Sequence, residues 1–442
     1  MEGASALKTS KLPDWTAAGP KGNVPDWAWY DSGRQAFWVR IKPLEIVQMS
    51  EGSLRRFLRA SGYSTLVTDG HNISAVEKAM VAIMQQQSVA YAGPLAGHQI
   101  GQMELYGKTF LVTESPRFIE AKKGNCDAWD DLITGLFGDQ VPYVVGWLKI
   151  ALQALRAGPP FRPGQMLALA GPAGCGKSLF QNLVTDLLGG RVAKPYRYMT
   201  GATPFNSELF NAEHLMIEDE AATTDIRTRR QFGANIKNLL VNETQSYHAK
   251  GRNALTLSCC WRLTCSLNAE PENLMVLPPM DESLLDKITL LKCDRPSCLP
   301  ETDAQRKAFR DALTEQMPAF VHWLQAWKIP KKLKDARYGI TAYQHPELIE
   351  SLASLSPEEK MLQLCDGHGI ATDEPWEGTA DELERWLRGK CDSWQVERLF
   401  TFNTACGVYL GRLLSKHPQR IEKRTVEGRN NWKICPADKK AH

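Results

Sequence analysis

The sequence lacks the features that would put it in a membrane, an oxidising compartment or around a structural metal. No apolar run approaches the roughly 18 residues a membrane helix needs. The N-terminus, MEGASALKTSKLPDW, has no apolar core behind its first lysine, so it does not read as a secretory signal and a cytoplasmic protein without membrane partners is expected. The 11 cysteines fall at irregular intervals, with no CxxC pair and no Cys/His quartet at zinc spacing, which leaves reduced thiols as the simple reading. Residues 1–150 hold no acidic metal triad and no paired-histidine motif, so neither primase nor nuclease chemistry is expected in this chain.

What is present is the balance of a globular protein, 43% hydrophobic and 23% charged, with length for two or three domains. Net charge is only +3, but it is unevenly spread. From Arg412 to His442 nine Lys/Arg face three acids. That basic end suggests a polyanionic partner.

Punctuation divides the chain. Residues 1–30, rich in Pro, Gly and Trp, read as an extended arm. Residues 31–158 read as a mixed, mainly helical domain for oligomerisation: a hairpin at Ala28 to Arg40, then helical periodicity at Ser50 to Gly62, Ser74 to Gln86 and Tyr143 to Gly158. The breaker cluster GPPFRPG, Gly158 to Gly164, opens a region over 159–330 in which strand and helix patterns alternate, the signature of an α/β fold with a parallel sheet. A long amphipathic helix is expected from Asp303 to Trp327. Residues 331–375 read as a polar linker or lid. In 376–442 a capping box, TADE at Thr379, starts a helix; a second helix over 402–416 leads to the hairpin RIEKRTV-EGRN-NWKIC, a winged-helix-like pattern.

The most informative stretch is LALAGPAGCGKSLF. Gly171, Pro172, Ala173, Gly174, Cys175, Gly176, Lys177 and Ser178 match GxxxxGK[ST] between an apolar strand and a helix-forming segment that starts with Leu179. Backbone N–H groups and a helix N-terminus cradle phosphates there, Lys177 adds charge, and the Ser178 hydroxyl is a ligand for Mg2+. The next requirement is carboxylates at the end of a neighbouring strand, which HLMIEDEAA supplies as Glu218, Asp219 and Glu220. Asp219 is the metal-side candidate, and either Glu218 or Glu220 the general base. The Asn-Lys-x-Asp motif that reads guanine is absent, so ATP is the expected nucleotide. Further on, SYHAKGRNALTL reads as two strands joined by a basic turn, followed by a buried strand ending at Asn268, suited to orienting a lytic water.

These four elements between Gly171 and Asn268 resemble the superfamily 3 helicases, most closely the phage and plasmid replication (primase-helicase) type. The resemblance implies an AAA+ core, an ATPase, and a homo-oligomeric, hexameric ring that moves on single-stranded and forked DNA, typically 3′ to 5′. It also implies replication partners, a primase among them. His248, Lys250 and Arg252 would touch DNA in the pore, and Arg412, Arg424 and Arg429 would contact it from the winged-helix-like end. Many members carry an arginine that reaches a neighbouring subunit's nucleotide. Here the matching position is Lys287, with Arg230 and its neighbours Arg227 and Arg229 as alternatives.

Overall fold

In the computed structural model, which describes residues 25–67, 73–218, 220, 225–354, 356–370, 374–392, 396–397, 399–426 and 428–436, the aromatic run after Ala28 is a hairpin. Its strands are β1 (Ala28–Asp31) and β2 (Ala36–Lys42). Side chains alternate between faces of a strand. Ala28, Phe37 and Val39 therefore join one apolar cluster with Leu54 and Leu58, and Trp29 and Trp38 join another with Val89 and Leu111. With β3 (Glu45–Met49) and β4 (Ser88–Val89) they form a four-stranded sheet ordered β3-β2-β1-β4. Helices α1 (Glu51–Ala60) and α2 (Ala75–Gln86) pack on it, α2 starting at a Ser74/Glu77 capping box.

A second small sheet has the order β5-β7-β6, from β5 (Tyr91–Gly93), β6 (Gly101–Leu105) and β7 (Lys108–Val112). The N-terminal region thus holds more strand than its helical periodicity indicated. Strands this short carry too few alternations for a pattern to register.

The main core follows. Helices α3 (Asp127–Phe137) and α4 (Val141–Ala157) bury Trp129, Leu132, Trp147 and Leu148 against the central sheet's helix layer. That sheet is built from β8 (Met166–Ala170), followed by α5 (Lys177–Leu187), β9 (Val192–Ala193) and β10 (His214–Ile217). After α6 (Ile226–Val241), the two strands β11 (Gln245–Tyr247) and β12 (Leu255–Leu257) form a separate hairpin. Then β13 (Arg262–Leu267) and β14 (Ile288–Lys292) return to the sheet, whose order is β14-β8-β13-β10-β9 with every pairing parallel. The fold class is α/β with a parallel sheet, as the alternation indicated. Helix α7 (Asp303–Ala326) closes the core, started by a Thr302/Gln305 capping box.

Contacts divide the chain into two compact units, residues 1–268 with 276–344, and 269–275 with 345–442. In the second unit the expected polar linker is instead helical over α8 (Pro346–Ser354) and α9 (Pro357–Gly367). Met361, Leu362 and Cys365 bury one face of α9 in a core with Leu383, Leu410 and Trp432. The apolar positions are spaced for a helix but diluted by the exposed polar face, which is why the segment read as a linker. Strand β15 (Trp376–Thr379) leads to α10 (Ala380–Lys390), whose Thr379/Glu382 capping box forms as the sequence indicated. Helix α11 (Ala405–Lys416) begins after Phe402, later than expected, and β16 (Ile421–Val426) pairs with β17 (Arg429–Ile434) in a sheet ordered β15-β17-β16.

Trp129 holds α3 to α7: its ring stacks on Phe320 at 4.0 Å and its Nε1 donates to Leu313 O at 2.8 Å. Trp129→Ala removes both and opens a cavity, so a loss of about 3–5 kcal/mol is expected, read as a lower denaturant midpoint.

Candidate functional site

The phosphate loop leaves the carboxyl end of β8, where open parallel sheets hold ligands. Two glycines account for its path. A Cβ on Gly171 would lie 2.3 Å from Cys293 O, and Gly176 has φ +105°, a left-handed conformation that other residues adopt only under strain. Gly176 is also the N-cap of α5 and supplies no side-chain cap, so the first N–H groups of the helix face the loop. Lys177, 7% exposed, directs its Nζ back onto Gly171 O at 2.7 Å and Pro172 O at 2.8 Å. Ser178 is exposed at the first turn and Leu179 half-buried beside it. A glycine loop at a helix N-terminus with one buried ammonium fits a polyphosphate. Gly171 N donates to Leu267 O at 3.3 Å, tying the loop to the end of β13.

Parallel register sets what lies beside the loop. Ala170 is opposite Leu267 and Ile217 opposite Cys265, so Asn268 follows on the adjacent strand and Glu218 on the one beyond, about 10 Å from β8 at two strand spacings. Glu218 is paired with Lys194, a residue that sequence reasoning passed over. Burial pushes the Glu220 carboxyl above its ordinary value, with Lys194 opposing. Asp219 lies outside the described residues.

A buried polar network sits beneath these groups. Gln181 Nε2, on α5, donates to Ile217 O at 3.1 Å and to Thr264 Oγ1 at 2.8 Å. His214, fully buried on β10, meets Thr185 Oγ1 at 2.7 Å through Nδ1 and Thr264 Oγ1 at 2.8 Å through Nε2. Burial, helped by Lys194, lowers the imidazole to about 3. The ring is therefore neutral and bridges the loop helix, the acid strand and the Asn268 strand.

Other candidate residues are scattered. Lys287 stands at the opening of β14, at the sheet edge away from its own chain's phosphate loop; its side chain is 12% exposed and bonds Asp286 at 2.5 Å. On α6, Arg229 is half-buried and donates to Leu277 O at 2.9 Å, while Arg227 and Arg230 are exposed. Arg295, not singled out from sequence, follows β14 and donates to Gly174 O at 3.4 Å. It helps to line a cavity of about 320 Å³ beside the loop with Leu179, Leu299 and Phe309. Its one sequence signal is an arginine directly after a strand that flanks β8.

The basic turn joins β11 to β12. Asn206, 3% exposed, clamps it: its Oδ1 accepts from His248 N at 2.7 Å and its Nδ2 donates to Ser246 O at 2.8 Å. The His248 ring lies 5.4 Å from that of Phe205, and Lys250 is exposed. Arg252, expected to face DNA, turns instead toward buried Asp31 at 3.8 Å, its side chain 16% exposed. In the second unit Arg412 and Lys416 pair with Glu358 at 3.4 and 3.0 Å. Burial works to raise that carboxyl, and the two cations outweigh it, holding it below its ordinary value. Arg424 pairs with Glu422 at 3.2 Å, and Arg429 is exposed on β17.

Residues 169–282, which include the loop, the acids, the basic turn and Asn268, match a family described as a family of unknown function, DUF5906. No curated protein matches. Among solved structures, the A form apo structure of the NrS-1 C-terminal region superposes with TM-score 0.54 at 11% identity, covering 93% of this chain and 96% of that one. The fold is shared with the NrS-1 C-terminal region. A second apo structure of that region has TM-score 0.54 at 12% identity over the same shares of each chain. A JCV helicase structure matches at TM-score 0.24 and 11% identity over 55% of this chain and 71% of that one, too little to argue from. Among the described residues no helix is long and apolar enough to cross a membrane.

The neutral His214 makes stability depend on pH with a definite sign. Its folded value, about 3, is below the ordinary value near 6.5, so between the two the unfolded chain binds the extra proton. Stability is lost as pH falls through that window, by about 2 kcal/mol from this group at pH 5. Urea midpoints should fall between pH 7 and pH 5, and His214→Gln should flatten that difference.

Proposed function

We propose that this protein is an ATP-driven DNA helicase of the superfamily 3 type, assembling as a homo-oligomeric ring, by resemblance a hexamer, that moves along single-stranded DNA in replication. The observation that carries the ATPase reading is the juxtaposition at one sheet edge of a phosphate cradle holding Lys177, the end of β13 at Asn268 and the acidic end of β10. Bound Mg2+ would supply charge neutralisation on the phosphates, and Ser178 with Asp219 would hold it.

The chain's own residues do the rest. The α5 N-terminus and loop N–H groups bind the phosphates, and Lys177 adds a charge already desolvated. Leu179, Leu299 and Phe309 give apolar lining for a base to a cavity beside the loop, which Arg295, Arg306 and Arg310 also line. Glu220, its carboxyl raised by burial, is the better proton acceptor of the two glutamates, while Glu218 is occupied by Lys194. Asn268 is suited to orient a water. For the cation reaching a neighbouring subunit we favour Arg230, exposed on α6, over Lys287, whose ammonium is held by Asp286. Lys250 would track DNA phosphates through an exposed point charge, which needs no base readout.

ATPase rate with and without single-stranded DNA, beside strand displacement on a forked duplex, tests the reading; an assembled ring that shows neither stimulation nor unwinding sinks it. Lys177→Ala should lower hydrolysis by at least about a hundredfold, the scale of a lost electrostatic contact at a phosphoryl centre. Lys250→Ala should hydrolyse at the basal rate yet lose unwinding. Arg230→Ala and Lys177→Ala proteins should each be inactive alone, and mixing them should restore part of the activity because some interfaces regain both groups. No recovery would remove Arg230 from the interface role.

A further inference from the structure

The basic turn does not stand alone. It faces the N-terminal sheets across an open cleft of about 570 Å³ lined by Ser32, Gly33, Lys108, Gly251, Arg252 and Asn253. Arg252 is anchored by Asp31, which is fully buried and has Arg34 and Arg252 each at 3.8 Å, so its charge is offset by two guanidinium groups. Arg252 lies against Gly33, with its Nη1 at 3.6 Å from where a Cβ there would sit, which locks the turn to the β1–β2 loop. Beside the apolar Ala90 and Leu255, the β6–β7 hairpin contributes an exposed cation, Lys108, to the lining, and Glu104, paired with Thr109 across the hairpin, belongs to the opposite face.

Next to Lys108, the β6–β7 hairpin turns on Tyr106 and Gly107, with Leu105 opposite Lys108. Both turn residues have positive φ, +50° for Tyr106 and +69° for Gly107, the backbone of a two-residue turn that favours Asn or Gly first. A tyrosine there is in strained backbone, and the residue is 56% exposed. An exposed aromatic residue two positions before a lysine that lines a cleft, with a guanidinium and an amide in the same lining, is the pairing that single strands use. Bases stack on the ring and phosphates follow the cations.

We propose that this cleft is a second single-stranded DNA site, in which Tyr106 stacks a base while Lys108 and Asn253 contact the backbone, and Arg252 positions the turn through Asp31. The assignment rests on the helicase reading and extends it, because it gives the N-terminal sheets a share in strand binding. The strand would run from Lys250 on the basic turn to the β6–β7 tip.

The test is equilibrium binding of the full chain to fluorescent oligo(dT) over a salt series. Tyr106→Gly removes the ring and puts the residue the backbone prefers at the turn, so the protein should melt no lower while binding falls about tenfold. Lys108→Ala should reduce the slope of log affinity against log salt by about 0.7, the loss of one phosphate contact on a single strand, and Lys108→Arg should restore it. If the unaltered chain binds and both variants match it in affinity and slope, the cleft is overturned and the helicase reading stands. If the unaltered chain does not bind oligo(dT) at all, both are overturned together.

Discussion

The arrangement of the candidate site depends on one buried hydrogen-bond network. Gln181 and Thr185 on the loop helix, His214 on β10 and Thr264 on β13 are joined by contacts between 2.7 and 3.1 Å, all away from water. The partners come from three elements, so the phosphate-loop helix, the acid strand and the Asn268 strand cannot shift independently. A buried polar network constrains a core this way only when its members are satisfied, because an unpaired group in low dielectric is expensive. The neutral imidazole meets that condition at both ring nitrogens, while Gln181 Oε1 is buried with no hydrogen-bond partner among the described residues. A charged one would have to be desolvated with no carboxylate beside it.

The cations obey a similar logic. Arg252 is held by a carboxylate with no exposure of its own, and Arg191 forms a buried pair with Glu213, which in turn accepts from Gly97 N at 2.9 Å. These pairs fasten the N-terminal sheets to the parallel-sheet layer, and removing one partner would strand a buried charge. Lys250, Arg230 and Arg429 are by contrast exposed. A run of basic residues in the sequence therefore divides into structural cations and surface cations, and burial of the partner acid makes the division.

Much of the architecture could be read from residues. The phosphate loop, the α5 helix after it, the capping box at Thr379 and the long α7 helix all lie where local pattern put them, because short-range steric and hydrogen-bond preferences decide them. The helices over 346–367 and the strands β5 to β7 were not legible. Their apolar faces are short and find partners far along the chain. Within the candidate site, Lys194, Asn206, His214 and Arg295 were passed over for the same reason. Each is an ordinary polar residue until folding sets it beside Glu218, the basic turn, Thr264 or Gly174.

By itself the sequence determined that the chain has a glycine loop at the end of an apolar strand, acids at the end of another, and an α/β layer built around them, since each is a feature of contiguous residues. Only tertiary structure decided which strands are neighbours, which basic residues are already paired, and that a lysine of the β6–β7 hairpin lines a cleft with the basic turn. The physical reason is range: glycine loops and helix caps are specified by atoms a few bonds apart, whereas strand order and the burial of an ion pair follow from how distant apolar faces pack.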